Sequence, residues 1–303
     1  MKAAVSPRLA RPAHAPWVLD ARLVDRLATM LLWLAAVTIL GILIWFLVYI
    51  LSRGLPVLSL HFITSPPSEL SAGGGVGPQL FNTFYIVFLS LLLSLPFGLG
   101  AGIYLAEYAR GGWLTSAVRL STESLASVPS IVLGLFGMIL FVNRLGLGFT
   151  ILGGAATLAL LNLPILVRVS EEAIRAVPRS FREGSLALGA TRYQTLLRVV
   201  IPSALPGLVT GITLVAGRAL GESAILIFTA GVSVSRRLFD LNPLAAGETL
   251  AVHLWYVNAE GVVPDATRIA DGSAALLILV VLAFNLLIAL PSRWWQKRYT
   301  GGR

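Results

Sequence analysis

Five stretches of at least 18 residues carry no charged side chain: 27–51, 80–106, 124–142, 150–167 and 273–290. A sixth, 207–231, is interrupted only by Arg218 and Glu222. Eighteen helical residues extend about 27 Å, close to the ~30 Å hydrocarbon thickness of a bilayer. Backbone polar groups in hydrocarbon must be bonded internally, so only helices and closed barrels can cross. The apolar residues here run on without the alternation a barrel strand needs. The fold class is therefore an all-α integral membrane protein with six transmembrane helices. Composition agrees: 12% of residues are charged, against about 25% in soluble domains, and mean hydropathy is +0.84.

Six spans put both termini on one side. The arm 1–26, the connections 107–123 and 168–206 and the tail after 290 then carry 17 Lys and Arg, against 5 in the connections of the opposite side. Acids divide almost evenly, seven to six. The positive-inside rule makes the side of the termini cytoplasmic. The net charge of +9 is thus explained by topology and does not call for nucleic acid. The first run is too long for a cleaved signal peptide and reads as an anchor. Residues 1–26, with three prolines and several arginines, read as a disordered arm. Trp294 and Trp295 in the tail 292–303 sit where an interfacial aromatic belt is expected, facing membrane lipid.

Other chemistry is excluded by what the chain lacks. With no cysteine there are no disulfides, thiolate metal sites or thiol nucleophiles. His14, His61 and His253 are scattered, and neither a metal site nor a cofactor is expected. No G-x4-G-K-[ST] loop is present, so nucleotide hydrolysis would have to come from another subunit.

The connection 168–206 holds dense local signals. Ser170, followed by Glu171 and Glu172, predicts the start of one helical turn. Pro178 opens a second helix to about Leu188, where Gly189 supplies a left-handed stop. Thr191 and Gln194 form a capping box for a third helix, ending at Pro202. Phe181, Leu186, Leu188, Tyr193 and Leu196 are apolar residues on a connection with no predicted core, which suggests a face for a partner protein. Within the spans, Gly98–Gly102 and Gly207–Gly211 suit close helix contacts. Pro96, Pro129 and Pro164 are expected to interrupt their helices. Asn82, Thr83, Asn162, Thr213 and Asn285 read as interhelical hydrogen-bonding groups.

The same connection resembles the EAA motif, EAA-x3-G-x9-I-x-L-P, of permease subunits of binding-protein-dependent ABC importers. Here it reads Glu183-Gly184-Ser185, then Gly189, then Val199-Val200-Ile201-Pro202. Two alanines are replaced by Gly and Ser, and Val and Ile stand for Ile and Leu. The segments "GIYLAEYA" (102–109), "VPSIVLGLFG" (128–137) and "GRALGESAIL" (217–226) extend the likeness, which covers about residues 73–298, to the PstA-type permeases of phosphate importers.

The resemblance implies a type I ABC importer permease with no catalytic residues of its own, in a bacterial inner membrane. It implies a second, PstC-like permease, two PstB-like ATPase subunits and a PstS-like binding protein that delivers inorganic phosphate. Arg182, Glu183, Gly184, Ser185, Leu188, Gly189, Ala190 and Thr191 would form the loop that couples to the ATPase. Another oxyanion (phosphonate, sulfate or molybdate), a phosphate-sensing membrane complex, or an ion-coupled carrier are the alternatives. Arg218 falls about 17 Å into its span, and Glu222 lies one turn further, close enough to pair on a continuous helix. Such a pair either fixes helix packing alone or, as the family likeness favours, forms part of an anion route.

Overall fold

The computed structural model describes residues 21–68, 71–109, 111–232, 237–261 and 263–299, with side chains through Ile288. Among the described residues the secondary structure is helical, without strands. The chain forms two units, one ending at Leu51 and the other starting at Ser52. The first holds helix α1 (Ala21–Gly54) as far as Leu51, an apolar stretch exposed over most of its length, the character of a membrane span. Of the arm 1–26, residues 1–20 lie outside the described residues, and Ala21 to Arg26 are the first turns of α1 instead of an irregular segment.

The second unit begins with α2 (Leu60–Thr64), capped by the Ser59 hydroxyl. Then come α3 (Gly77–Ile103), prolonged by a π-helical turn Tyr104–Tyr108, and α4 (Trp113–Ala126). α5 (Ser130–Gly137) runs on as a π-helix to Arg144. α6 (Ile151–Arg175) is followed by α7 (Arg179–Ala187) and α8 (Arg192–Thr195). A π-turn, Leu196–Val200, leads into α9 (Ile201–Leu220), and α10 (Ala224–Thr229), α11 (Leu250–Glu260) and α12 (Ala266–Tyr299) complete the order. Five helical segments are long and apolar enough to cross a membrane, and a sixth crossing is made if the bent pair 113–126 and 130–144 counts as one.

α6 is the central helix. Gly98 and Gly102 of α3 lie on Leu166 and Ser170, where an added Cβ would come within 2.6 Å and 2.4 Å of the α6 side chains. Gly207 and Gly211 of α9 lie on Ala173 and Val169. Both glycine pairs therefore hold α6 between two close neighbours, as their spacing predicts. The core beside these contacts includes Ile86, Leu158, Leu220, Ile225, Leu226 and Val252, all fully buried. At the far end, the Thr150 hydroxyl caps α6, and Thr150 N–H donates to the Thr229 carbonyl.

Several boundaries differ from the sequence reading. The third span, 124–142, is not a straight helix: α4 and the α5 segment meet at 97°. Pro129 stands at that bend, whereas Pro96 and Pro164 sit inside uninterrupted helices. A proline loses one ladder bond, which packed membrane helices tolerate. Ser170 does not cap a new helix, because nothing between Val167 and Arg175 breaks the ladder and α6 runs straight through. Pro202 does not end the third helix of the connection. The ladder widens to π spacing just before it and continues as α9. The tail is helical to Tyr299, and the side chains of Trp294 and Trp295 lie outside the described residues.

Candidate functional site

The fifth apolar stretch, 207–231, is a broken helix. α9 stops at Leu220 and α10 starts at Ala224, so Gly221 to Ser223 form a break between two half-helices. The Gly221 and Glu222 N–H groups turn back to the carbonyls of Arg218 and Ala219. α9 runs antiparallel to α6 with Gly207 on Ala173 and Gly211 on Val169. Continued one for one, that register puts Arg218 level with Asn162, which is twelve residues, or ~18 Å, from the capped end of α6. The break is thus near the middle of a ~30 Å layer. Irregular backbone at that depth is stable only against protein or a water-filled cavity.

Arg218 occupies the last turn of α9 and is exposed, and Glu222 is half-buried. The two do not form the expected ion pair, and neither has an ion-pair partner among the described residues. The expectation assumed a continuous helix, and the helix ends two residues before Glu222. Gly217 does admit a neighbour, Asn285 of α12, whereas Gly221 faces open space beyond its own turn. Thr210, Leu214, Arg218 and Gly221 together form an exposed stripe along α9. From the break, a cleft of about 440 Å³ is bounded by Gly221, Ser223, Ala251, Leu254, Trp255 and Asn258.

At the other end, α7 and α8 form the predicted pair of short helices. Gly189 adopts φ +84° at their junction, a left-handed conformation favourable to glycine. The Thr191 hydroxyl accepts from Gln194 N–H, and Gln194 Oε1 accepts from Thr191 N–H, completing the capping box. Ser185 and Thr195 hydroxyls bond across the pair at 2.9 Å. Phe181, Leu186, Leu188 and Tyr193 are exposed, Leu188 by 91%. Leu196 is not part of that face: it is buried with Ile174, Val177, Val200, Ala204 and Leu208, a small core the sequence reading did not foresee. Glu183, Gly184 and Thr191 are exposed and Ala190 is half-buried.

Arg182 behaves differently from its neighbours in the loop. It turns inward, where Nε and Nη2 donate to Glu107 Oε1 at 2.9 and 2.5 Å, and Nη1 and Nη2 donate to the carbonyls of Val177 and Ile174. A second cluster joins Arg119 and Arg175 to Glu171, and Arg175 also donates to the Leu105 carbonyl. A third polar group, at the far end, joins Gln79, Glu248 and His253, each at most 4% exposed. The sequence reading missed these clusters. Glu107 was visible as the first acid after the second span, but its partner lies 75 residues away.

Residues 98–301 match the family described as binding-protein-dependent transport system inner membrane component. The chain is 46% identical over 286 residues, 91% of its length and 96% of the relative's, to the probable ABC transporter permease protein YqgI of Bacillus subtilis. It is 34% identical to the phosphate transport system permease protein PstA of Haemophilus influenzae, over 81% of this chain and 86% of that one. In fold, it is similar to a solved bacterial ABC transporter involved in alginate import, at TM-score 0.58 and 16% identity, covering 90% of this chain and 98% of that one. The broken span, the exposed helical pair and these matches lead to one assignment: the chain belongs to the binding-protein-dependent transport system inner membrane components and is a permease subunit of an ABC importer.

Proposed function

We infer that this permease serves an ATP-driven importer of inorganic phosphate. The observation that carries the reading is Arg218, an exposed guanidinium at mid-depth beside a broken helix. In lipid that charge would cost roughly 2.5–3.5 kcal/mol even on an insertion scale. Its exposed stripe is therefore the face that a second, PstC-like permease covers, with an aqueous route between the two. A guanidinium suits a tetrahedral oxyanion because its planar fork of donors matches two oxygens at once. PstA proteins from Haemophilus influenzae and Mycobacterium tuberculosis, at 34% and 33% identity, are named for phosphate.

Arg218 meets the anion in the route, and Glu222, half-buried in the break, keeps the site from trapping it by offering the guanidinium a competing partner. The basic excess on the side of α7 and α8 supports a cytoplasmic position for them and for both termini. There Glu183, Gly184, Ser185, Leu188, Gly189, Ala190 and Thr191 dock on a PstB-like ATPase, two copies of which supply hydrolysis. A PstS-like binding protein delivers phosphate from outside.

The test is uptake of labelled phosphate by vesicles containing the assembled complex and its binding protein, with sulfate, molybdate or a phosphonate in large excess. Competition by unlabelled phosphate alone is the expected result. Absence of phosphate uptake, or suppression by one of the other anions as strong as that by unlabelled phosphate, would reassign the substrate.

A further inference from the structure

α3 and its π-turn form a helical rod whose two ends are both fastened by polar contacts. Gln79 and Glu107 are 28 residues apart, about 42 Å along the axis. At the coupling end, the Arg182 guanidinium holds Glu107 through Nε and Nη2, the carbonyl of Ile174 through Nη2 and that of Val177 through Nη1. One side chain on α7 thereby ties together the end of α6, the start of the coupling pair and the end of α3. Both charged groups are about one-fifth exposed.

At the far end, Gln79 Nε2 donates to Glu248 Oε1 at 2.7 Å, and the same oxygen lies 2.8 Å from His253 Nδ1. Asn82 Nδ2 donates to the Glu248 carbonyl, and Leu250 N–H donates to the Thr83 hydroxyl. These bonds connect α3 to the first turn of α11. α11 in turn supplies Ala251, Leu254, Trp255 and Asn258 to the cleft that opens on the break.

Such joints resist separation, since parting them would strand buried polar atoms. α3 also packs closely on α6 at Gly98 and Gly102, and Arg175 and Arg182 bind both helices at the coupling end, so α3 is carried along its length with α6. A displacement of α7 therefore has a mechanical path along α3 that ends at the wall of the cleft.

We propose that α3 is the rod that transmits movement of the coupling helices to the cleft wall, with Arg182–Glu107 as its driven joint and Gln79–Glu248–His253 as its delivering joint. The proposal rests on α7 and α8 being the ATPase dock. Arg182 and Glu107 act as positioning residues, their partners being each other and the carbonyls of Ile174 and Val177.

The chain's lack of cysteine permits a direct test in the reconstituted complex with cysteine-free partner subunits. Asn258→Cys, in the cleft, is labelled by an impermeant thiol reagent in the nucleotide-free and in the ATP-vanadate-trapped states. The two labelling rates should differ. Adding Glu107→Gln, which leaves the carbonyl bonds of Arg182 intact, should bring the rates to within about twofold. Phosphate moved per ATP hydrolysed should fall about tenfold, the loss expected for one charge-assisted bond. The ATPase should still co-purify. Gln79→Met should have the same effect from the far end without touching the cytoplasmic side, which covers the case in which Glu107→Gln does not assemble. Unchanged rate differences in either assembled variant, or no difference between states in the parent, would overturn the rod. Failure of the parent to bind an ATPase would instead overturn the coupling-loop reading on which it rests.

Discussion

Gly211 and Val169 touch so closely that a Cβ on the glycine would meet Val169 Cγ1 at 1.8 Å. Overpacking of this kind costs about 1–3 kcal/mol. Gly211→Ala should therefore lower the thermal midpoint of the solubilised protein. Val169→Ala removes both γ-methyls and should recover most of the loss in the double variant. Additive losses in the double variant would contradict the packing of α9 on α6.

Gly189 presents a different case, since an added Cβ would meet nothing within 4 Å there. Only the backbone objects, through φ +84°. Gly189→Val should leave insertion of the spans intact and abolish co-purification of the ATPase, with uptake falling accordingly. Gly189→Asn, better tolerated in the left-handed region, should retain much of both. Equal behaviour of the two variants would remove the turn from the docking argument.

The sequence already contained most of the architecture, because membrane burial is a constraint on length and charge that can be read directly. Apolar runs located the spans, and the turn chemistry of Gly189, Thr191 and Gln194 located the pair of short helices α7 and α8. What escaped was anything set by the partner of a residue. The break at 221–223 is hidden in an apolar run, with Gly221 as its one local signal. The pairing of Arg218 with Glu222 was inferred from spacing and failed because spacing implies proximity only on an unbroken helix. Glu107 with Arg182 and Gln79 with Glu248 join residues 75 and 169 positions apart, beyond the reach of local pattern.

Side assignment is open to direct measurement. Ser180 on α7 and Thr267 at the start of α12 are both exposed. In intact cells an impermeant thiol reagent should modify Thr267→Cys and spare Ser180→Cys, and in inverted vesicles the pattern should reverse. Modification of both from one side would contradict the single crossing between them.

Asn162 is fully buried, and neither of its amide atoms has a hydrogen-bond partner among the described residues. A buried amide without compensation costs about 1–3 kcal/mol, so Asn162→Leu should be neutral or stabilising for the solubilised protein. If its role is structural, uptake should persist as well. Lost uptake in a stable Asn162→Leu protein would move this residue from packing into the anion route, where its level beside Arg218 would then have meaning.

Arg218 gives the sharpest test. Its exposed guanidinium has no ion-pair partner among the described residues, so removing the charge should not strand a buried carboxylate. Arg218→Gln is then expected to leave the assembled complex and its ATP hydrolysis intact. Uptake should fall by at least about tenfold, since a bond to a charged group is worth roughly 1.5–3 kcal/mol. Arg218→Lys keeps the charge and loses the fork, and should fall between the two. Glu222→Gln should impair uptake less, through slower release. In the double variant Arg218→Glu with Glu222→Arg, the positive charge moves from the last turn of α9 into the break, and net charge is unchanged. The proposed route needs a cation at the end of α9, so it predicts that uptake is not recovered. Recovery of full uptake by the swap would show that only the balance of charge matters, and Arg218 would lose its place as the anion's ligand.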